Sequence, residues 1–450
     1  MPAIHSAKSP EDESFQRKLR YYRPVAVGLI ALALIGSCIP QISRRDGDPE
    51  VFVTAARALL RGGDIYSVAS PHGRLYYYPP FFALLNVPLI PLPVAVLISL
   101  WCVVSVALLG WSMAAFYGGM TGRPFFSLPA KTRWTVCSLS TLLTVRFTLL
   151  HLRFGQTNIF VLALVVLGLT WLTRKQKIRS GIAIGLSMLI KLTTLPFGLW
   201  FATRRAGKVI VGITLGALIA VAMPALILGL RKDADDHIEW VKRVALTDAP
   251  GTGNWSGIGN VSLRAQADRL FLDVDAFSYR DQPYRATIVS LPNGIVRLIG
   301  YVLMLGIGLL IVWYALRFRN SPKLVSEWGG FAFVFTLIPN FSPVTEIPHL
   351  VLLIPAYLYV VHVWYSRLTT DRIFRGLVVL SFIFSSLTTK SLCGLFISQV
   401  LTAWGFISLG MLFLSAAVWR SAVCIDRQGL TASQSELREV QSPAGSVMLI

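Results

Sequence analysis

Apolar residues along this chain gather in long blocks, and polar positions collect between the blocks instead of alternating within them. The blocks fall at 24–41, 81–117, 134–152, 157–173, 180–203, 207–228, 293–316, 326–341, 347–364, 373–389 and 396–418. About 20 residues of helix cross the roughly 30 Å hydrocarbon core of a bilayer, so these blocks read as membrane spans. The block at 180–203 carries Lys191 and Pro196 inside it and basic clusters at both ends. Two short helices folded as a hairpin fit that pattern better than one span. The predicted fold class is therefore all-α, a polytopic membrane protein with about twelve transmembrane helices. Its spans delimit a leader at 1–23, a transmembrane domain at 24–418, and a Ser- and Gln-rich tail at 419–450 that composition predicts to be disordered.

Two segments between spans are long, at 42–80 and 229–292. In the first, Glu50–Arg61 sets Val51, Ala55, Ala58 and Leu59 on one side and Glu50, Arg57 and Arg61 on the other. That spacing predicts an amphipathic helix lying at the membrane surface, stopped by Gly62-Gly63. The second segment contains Gly251, Gly253, Gly257 and Gly259, a stretch too flexible for a helix.

Composition narrows the class further. Only 14% of the 450 residues are charged, against about 25% in soluble domains, which excludes an ordinary cytosolic enzyme. The net charge of +20 does not signal a nucleic-acid partner, because the basic residues do not share one soluble face. They sit in short clusters between blocks, such as Arg174, Lys175, Lys177 and Arg179, or Arg204, Arg205 and Lys208. Such clusters hold loops on the cytoplasmic side. Both termini are then cytoplasmic, and the segments 42–80 and 229–292 are external. The leader carries Glu11, Asp12 and Glu13, so the first block reads as an uncleaved anchor rather than a signal peptide. Five scattered cysteines without CxxC spacing make neither a disulfide framework nor a metal site. The many spans after Ile35-Gly-Ser-Cys38 argue against lipidation there. Asn254-Trp-Ser256 and Asn260-Val-Ser262 match glycosylation sequons no better than chance would allow.

An external active site needs polar groups that converge where spans end. The first candidates lie in Arg44-Arg45-Asp46-Gly47-Asp48. A carboxylate there can act as general base toward a hydroxyl, or simply begin the helix that Pro49 opens. Tyr78, in Tyr76-Tyr77-Tyr78-Pro79-Pro80, suits sugar stacking, lipid contact or an interfacial belt. Gln156 and Asn158, in Gly155-Gln156-Thr157-Asn158, form a polar tetrad between two spans that also reads as a short turn. Lys191 is a cation inside an apolar block, which costs about 2.5–3.5 kcal/mol on insertion scales. It can pair with a lipid phosphate or snorkel to the interface. His349, with Glu346 three residues before it, can donate to a leaving phosphate or stand inert. Asp46 with Asp48 is too thin a set for a metal, and no metal or other cofactor is expected.

These residues occur in a familiar order: DPEVFVTAARALLRGGDIYS, YYYPPFFALLNVPLIPLP, FGQTNIFVLALVVLGL, GIAIGLSMLIKLTTLPFGLWFATRR, and a late IPNFSPVTEIPHLVLLIP. From about residue 24 to 365 the chain resembles glycosyltransferase family 87, the polyprenol-phosphate-mannose-dependent α-mannosyltransferases of the GT-C fold. The resemblance implies a metal-independent hexosyltransferase that takes sugar from a polyprenyl-phosphate donor on the external face and passes it to a glycolipid or glycan acceptor. It puts the catalytic acid on Asp48, with Asp46 in reserve, and the late histidine on His349. Gln156, Asn158 and Lys191 match donor-binding positions, although the proline after the lysine is displaced to Pro196. Asn260 stands where the family's NQSL reads Asn260-Val-Ser-Leu263. A related transferase using polyprenyl-linked arabinose or glucose is the nearest rival. A lipid or solute transporter is a more distant one, since it would set ionisable residues at the midplane in repeated positions.

Overall fold

A computed structural model describes residues 28, 32–44, 46–245 and 256–441. The leader at 1–23, much of the block at 24–41, Gly251, Gly253 and the first sequon residues fall outside them.

The segment after the first block forms helix α1 (Asp48–Leu60). Gly62, at φ +66°, follows it. Its amphipathicity is real, and its apolar face is covered by protein. Val51, Phe52, Val53, Ala55, Ala56 and Leu59 are all buried, and so is Glu50. The block at 81–117 is also not one span. Pro88, Pro91 and Pro93 each remove a backbone donor and crowd the preceding turn. The chain therefore makes a short helix at Pro80–Leu85, a turn at Val87–Leu89, and only then α2 (Val94–Thr121). Helix α3 (Ala130–Phe154) and α4 (Asn158–Thr173) meet at Gly155–Thr157. The block at 180–203 divides as its lysine and proline suggested, into α5 (Lys177–Ile190), a single turn at Leu192–Thr194, and α6 (Leu195–Thr203).

Helix α7 (Gly207–Ala222) packs on α5 backbone to backbone. A Cβ added at Gly181 would stand 2.1 Å from Val209 O, and one at Gly212 would stand 2.2 Å from Ile178 O. Gly185 and Gly216 repeat this one turn further along. Small residues four apart on both faces are how helices approach closely where lipid supplies no hydrophobic drive. This seam fixes the end of α5, and so the position of Lys191.

The segment 229–292 is not helical over the described part of its glycine stretch, 256–260, as expected. It holds α8 (Leu230–Trp240), α9 (Leu263–Phe271) and a hairpin of β1 (Phe277–Tyr279) with β2 (Gln282–Tyr284). Next come α10 (Asn293–Arg317), α11 (Gly330–Phe341), a 3-10 segment at Ile347–Leu353 that leads into α12 (Ile354–Tyr365), and α13 (Arg372–Ser386). The block at 396–418 breaks at Gly405, whose φ is +79° and whose missing side chain makes room for Gln266. It yields α14 (Leu395–Ala403) and α15 (Phe406–Gln441), so helix continues past the boundary expected at 418.

Among the described residues, seven helices are long and apolar enough to cross a membrane. The blocks at 157–173, 180–203 and 373–389 are helical but shorter. Helices α11 and α12 are buried along most of their length and form the centre. Around them, α7 and α10 turn Val211, Leu215, Leu218, Leu298, Val302, Leu305 and Leu309 outward. Helices apolar on their outer faces are stable only against lipid. The chain is an all-α integral membrane protein.

Candidate active site

Every site residue named from the sequence lies at a helix end or in a segment joining helices, and the fold gathers them on one side. Gly155 caps α3 in the left-handed region, with φ +68°. Its N–H donates to Leu152 O at 3.2 Å and that of Gln156 to His151 O at 3.3 Å, the reciprocal bonds that close a helix on glycine. The turn and site readings of this tetrad are thus the same fact, because the cap aims Gln156 and Asn158. A Cβ on Gly155 would also come within 2.6 Å of Pro49 Cδ, beside Asp48. Gly155→Ala should therefore combine about 1–2 kcal/mol of backbone strain with displacement of the α1 N-terminus. Its activity loss should exceed its loss of folded protein, read by comparing turnover with monodispersity and thermal transition.

Five side chains form a closed circuit. Gln156 Nε2 donates to Glu346 Oε2 at 2.7 Å, and Asn158 Nδ2 donates to Gln156 Oε1 at 2.9 Å. Lys191 Nζ donates to Asn158 Oδ1 at 3.1 Å and stands 2.9 Å from His349 Nε2. The Glu346 backbone N–H donates to His349 Nδ1 at 3.1 Å and closes the loop. Each amide gives one bond and takes one, which fixes its orientation. Lys191 can stand here because the chain is extended at that residue, φ −154° and ψ 121°, between α5 and the turn that follows. With Nδ1 accepting, a neutral His349 ring carries its proton on Nε2. Two donors then face each other and share a need for an acceptor, which an anion would meet. His349, Gln156 and Asn158 are buried, whereas half of the Glu346 side chain is exposed. The acid is thus the most exposed member of the circuit.

Asp48 stands at the start of α1, with 21% of its side chain exposed. Burial, with Glu346 facing it, pushes its carboxyl up to about 7 against the pull of Arg74 and Lys191. Arg74 reaches both acids, at 2.8 Å from Asp46 Oδ1 and 3.4 Å from Asp48 Oδ1. Asp46 therefore has the tighter partner, and Asp48 is left the freer base. Tyr78 is partly buried within the protein. It packs against Phe52, Tyr76 and Phe82, its ring lies 5.8 Å from Lys191 Nζ, and its hydroxyl meets Thr157 Oγ1 at 3.4 Å. Asn260 reaches the site through backbone: its Oδ1 accepts from Ser262 N and Thr345 N, and its Nδ2 donates to Pro343 O. These bonds hold the strand-like stretch that carries Glu346, to which Asn260 is bridged.

Sequence reasoning passed over Arg74, His72 and His151. His72 Nδ1 lies 2.9 Å from Glu50 Oε2, which explains how Glu50 tolerates burial. His151 is fully buried on α3. Opposite charges at the two ends of the segment 46–74 were the available signal for the first two. Among the described residues, no three His, Cys, Asp or Glu side chains group as metal ligands.

The sequence profile described as glycosyltransferase family 87 matches residues 76–339. A polyprenol-phosphate-mannose-dependent α-(1-2)-phosphatidylinositol pentamannoside mannosyltransferase of Mycolicibacterium smegmatis is 26% identical over 388 residues, 82% of this chain and 83% of that protein. A polyprenol-phosphate-mannose-dependent α-(1-2)-phosphatidylinositol mannoside mannosyltransferase of Mycobacterium tuberculosis is 28% identical over 240 residues, 50% of this chain and 54% of that protein.

Proposed function

This chain belongs to glycosyltransferase family 87, and on that premise we propose that it moves a mannosyl unit from a polyprenyl-phosphate donor to a glycolipid or glycan acceptor. The observation that carries this reading is a partly exposed carboxylate, Asp48, held within electrostatic reach of the partly buried Lys191–His349 donor pair. Both mycobacterial relatives are named for polyprenol-phosphate-mannose, and their acceptors are mannosylated phosphatidylinositols by the same names.

In the proposed step the acceptor hydroxyl oxygen attacks the sugar's anomeric carbon while Asp48 takes the hydroxyl proton. The bond from that carbon to the phosphate oxygen breaks on the opposite face, so the configuration inverts, and the lipid phosphate leaves with the bonding electrons. Phosphate is already a good leaving group, so one carboxylate suffices where glycoside hydrolysis uses two. Lys191 and His349 stabilise the growing phosphate charge from a desolvated position. Gln156, Asn158 and Glu346 hold that pair in place, and Tyr78 closes the cluster from the α1 side.

Connectivity supports an external site. The turns at 155–157 and at Lys191 share one end of the bundle. Those at 174–176 and 204–206, among the basic clusters, share the other. Basic loops stay in the cytoplasm, so the reading places the site outside and both termini, with the leader at 1–23 and the tail beyond 418, inside. The test is transfer of labelled mannose from synthetic polyprenyl-phosphate mannose by purified, reconstituted protein, beside donors carrying arabinose or glucose. Label should appear with the mannose donor. Folded protein that labels no acceptor from that donor would overturn the reading.

A further inference from the structure

A cavity of about 90 Å³ lies behind Asp46, walled by Arg44, Arg74, Arg153, Gln41 and Phe154. Its arginines come from three places: the end of the helix Ile39–Arg44, the loop before Tyr76, and the last turn of α3. Arg74 is neutralised by Asp46 and Asp48. Arg44 and Arg153 have no carboxylate partner among the described residues. Gln41, with its amide turned to satisfy both neighbours, accepts only from Arg153 Nε, at 3.2 Å. Arg44 and Arg153 therefore add two cations to a partly open cavity whose lining holds one carboxylate, Asp46, already paired with Arg74. The volume is several times the roughly 10–15 Å³ that one water needs, so a phosphate group has room there. Beside the cavity Ile39 and Phe154 are apolar side chains 60% and 40% exposed, the kind of contact that the chains of a lipid bearing the phosphate would meet.

We infer that this cavity holds the phosphodiester of an anionic lipid, the headgroup phosphate of the acceptor. The inference rests on reading Asp48 as the base of a lipid-dependent transferase. A departing donor phosphate must lie across the sugar carbon from the attacking hydroxyl, where Lys191 and His349 supply donors. Arg74 stands between the cavity and the Asp48 carboxylate, so a phosphate bound there lies on the acceptor's side. Guanidinium forks match phosphate oxygens two at a time.

Binding of phosphatidylinositol, polyprenyl phosphate and inorganic phosphate to the purified full chain in detergent, read by native mass spectrometry, tests this. Arg44→Gln with Arg153→Gln should weaken phosphatidylinositol at least tenfold and leave polyprenyl phosphate unchanged. Inorganic phosphate should bind far more weakly than the lipid. Arg44→Lys with Arg153→Lys should recover part of the lipid binding, which separates lost charge from lost fold. Equal retention of phosphatidylinositol by parent and the Gln double variant would overturn the inference, as would lipid and inorganic phosphate binding alike. A loss that falls on polyprenyl phosphate instead would give the cavity to the donor and overturn it too. A parent that holds phosphatidylinositol through these arginines yet transfers sugar from no polyprenyl donor would sink the transferase reading alone.

Discussion

Asp48→Asn should lower sugar transfer by about 10²–10⁴-fold, the range a positioned general base contributes, while making the protein more stable above pH 7. Both effects have one cause. Burial and the facing Glu346 raise the Asp48 carboxyl to about 7, close to working pH, where a base combines adequate ionisation with real proton affinity. Transfer efficiency of the parent should therefore rise with pH along a limb centred near 7, and that limb should vanish in whatever activity the variant keeps. The stability effect runs the other way. The folded carboxyl binds its proton more tightly than an unfolded one near 3.8, so stability is fully present below about pH 4 and is lost as pH rises through about 7. At 1.36 kcal/mol per unit the loss reaches up to about 4 kcal/mol. An uncharged asparagine escapes it, so the thermal transition of Asp48→Asn should exceed the parent's at pH 8 and approach it near pH 4. Asp46→Asn should cost less activity, because Asp46 is the carboxylate that Arg74 holds most closely. An Asp48→Asn protein with full transfer would remove the base assignment.

How much of this was legible depended on whether the cause was local. The apolar blocks, the break at Lys191 and the helix stop at Gly62 follow from residues within a few positions of each other, and pattern reading found them. The proline triplet at 88–93 was equally local and was missed, because hydropathy counts proline as neutral while the backbone does not. Burial of α1 is different in kind. Its amphipathic pattern predicts that one face meets something apolar, but not whether that is lipid or the Phe82–Trp101 wall that Phe52 packs against. The site divides the same way. Asp48, Gln156, Asn158, Lys191, Glu346 and His349 were each conspicuous as polar groups at the edge of apolar runs. Arg74 was not, since an arginine in a polar loop is ordinary until its partners, 26 and 28 residues away, are brought beside it. His151 was hidden by its place within a span, where its contacts with other helices decide its role.

Lys191→Met should cut transfer by about 10²–10³-fold, the effect of deleting one donor aimed at a developing oxyanion, with little change in folded yield. Methionine keeps much of the chain length and removes the charge, so the α5–α7 glycine seam that fixes the position is left alone. The loss should fall mainly on the rate at saturating donor rather than on the donor's KM, since the charge that needs Lys191 grows only as the phosphate departs. A lysine with a purely structural task would show the opposite: reduced yield and unchanged turnover per folded molecule. Lys191→Arg should not rescue fully, because a planar guanidinium replaces a point charge held between Asn158 Oδ1 at 3.1 Å and His349 Nε2 at 2.9 Å. The circuit offers a sharper check. Asn158→Ala alone should weaken transfer by loosening Lys191, but added to Lys191→Met it should do little more, since the bond it breaks is already gone. Strong non-additivity of that kind is what residues acting as a unit produce. Simple multiplication of the two losses would mean that Asn158 meets the substrate independently, and that the bond between them seen here is incidental to the reaction.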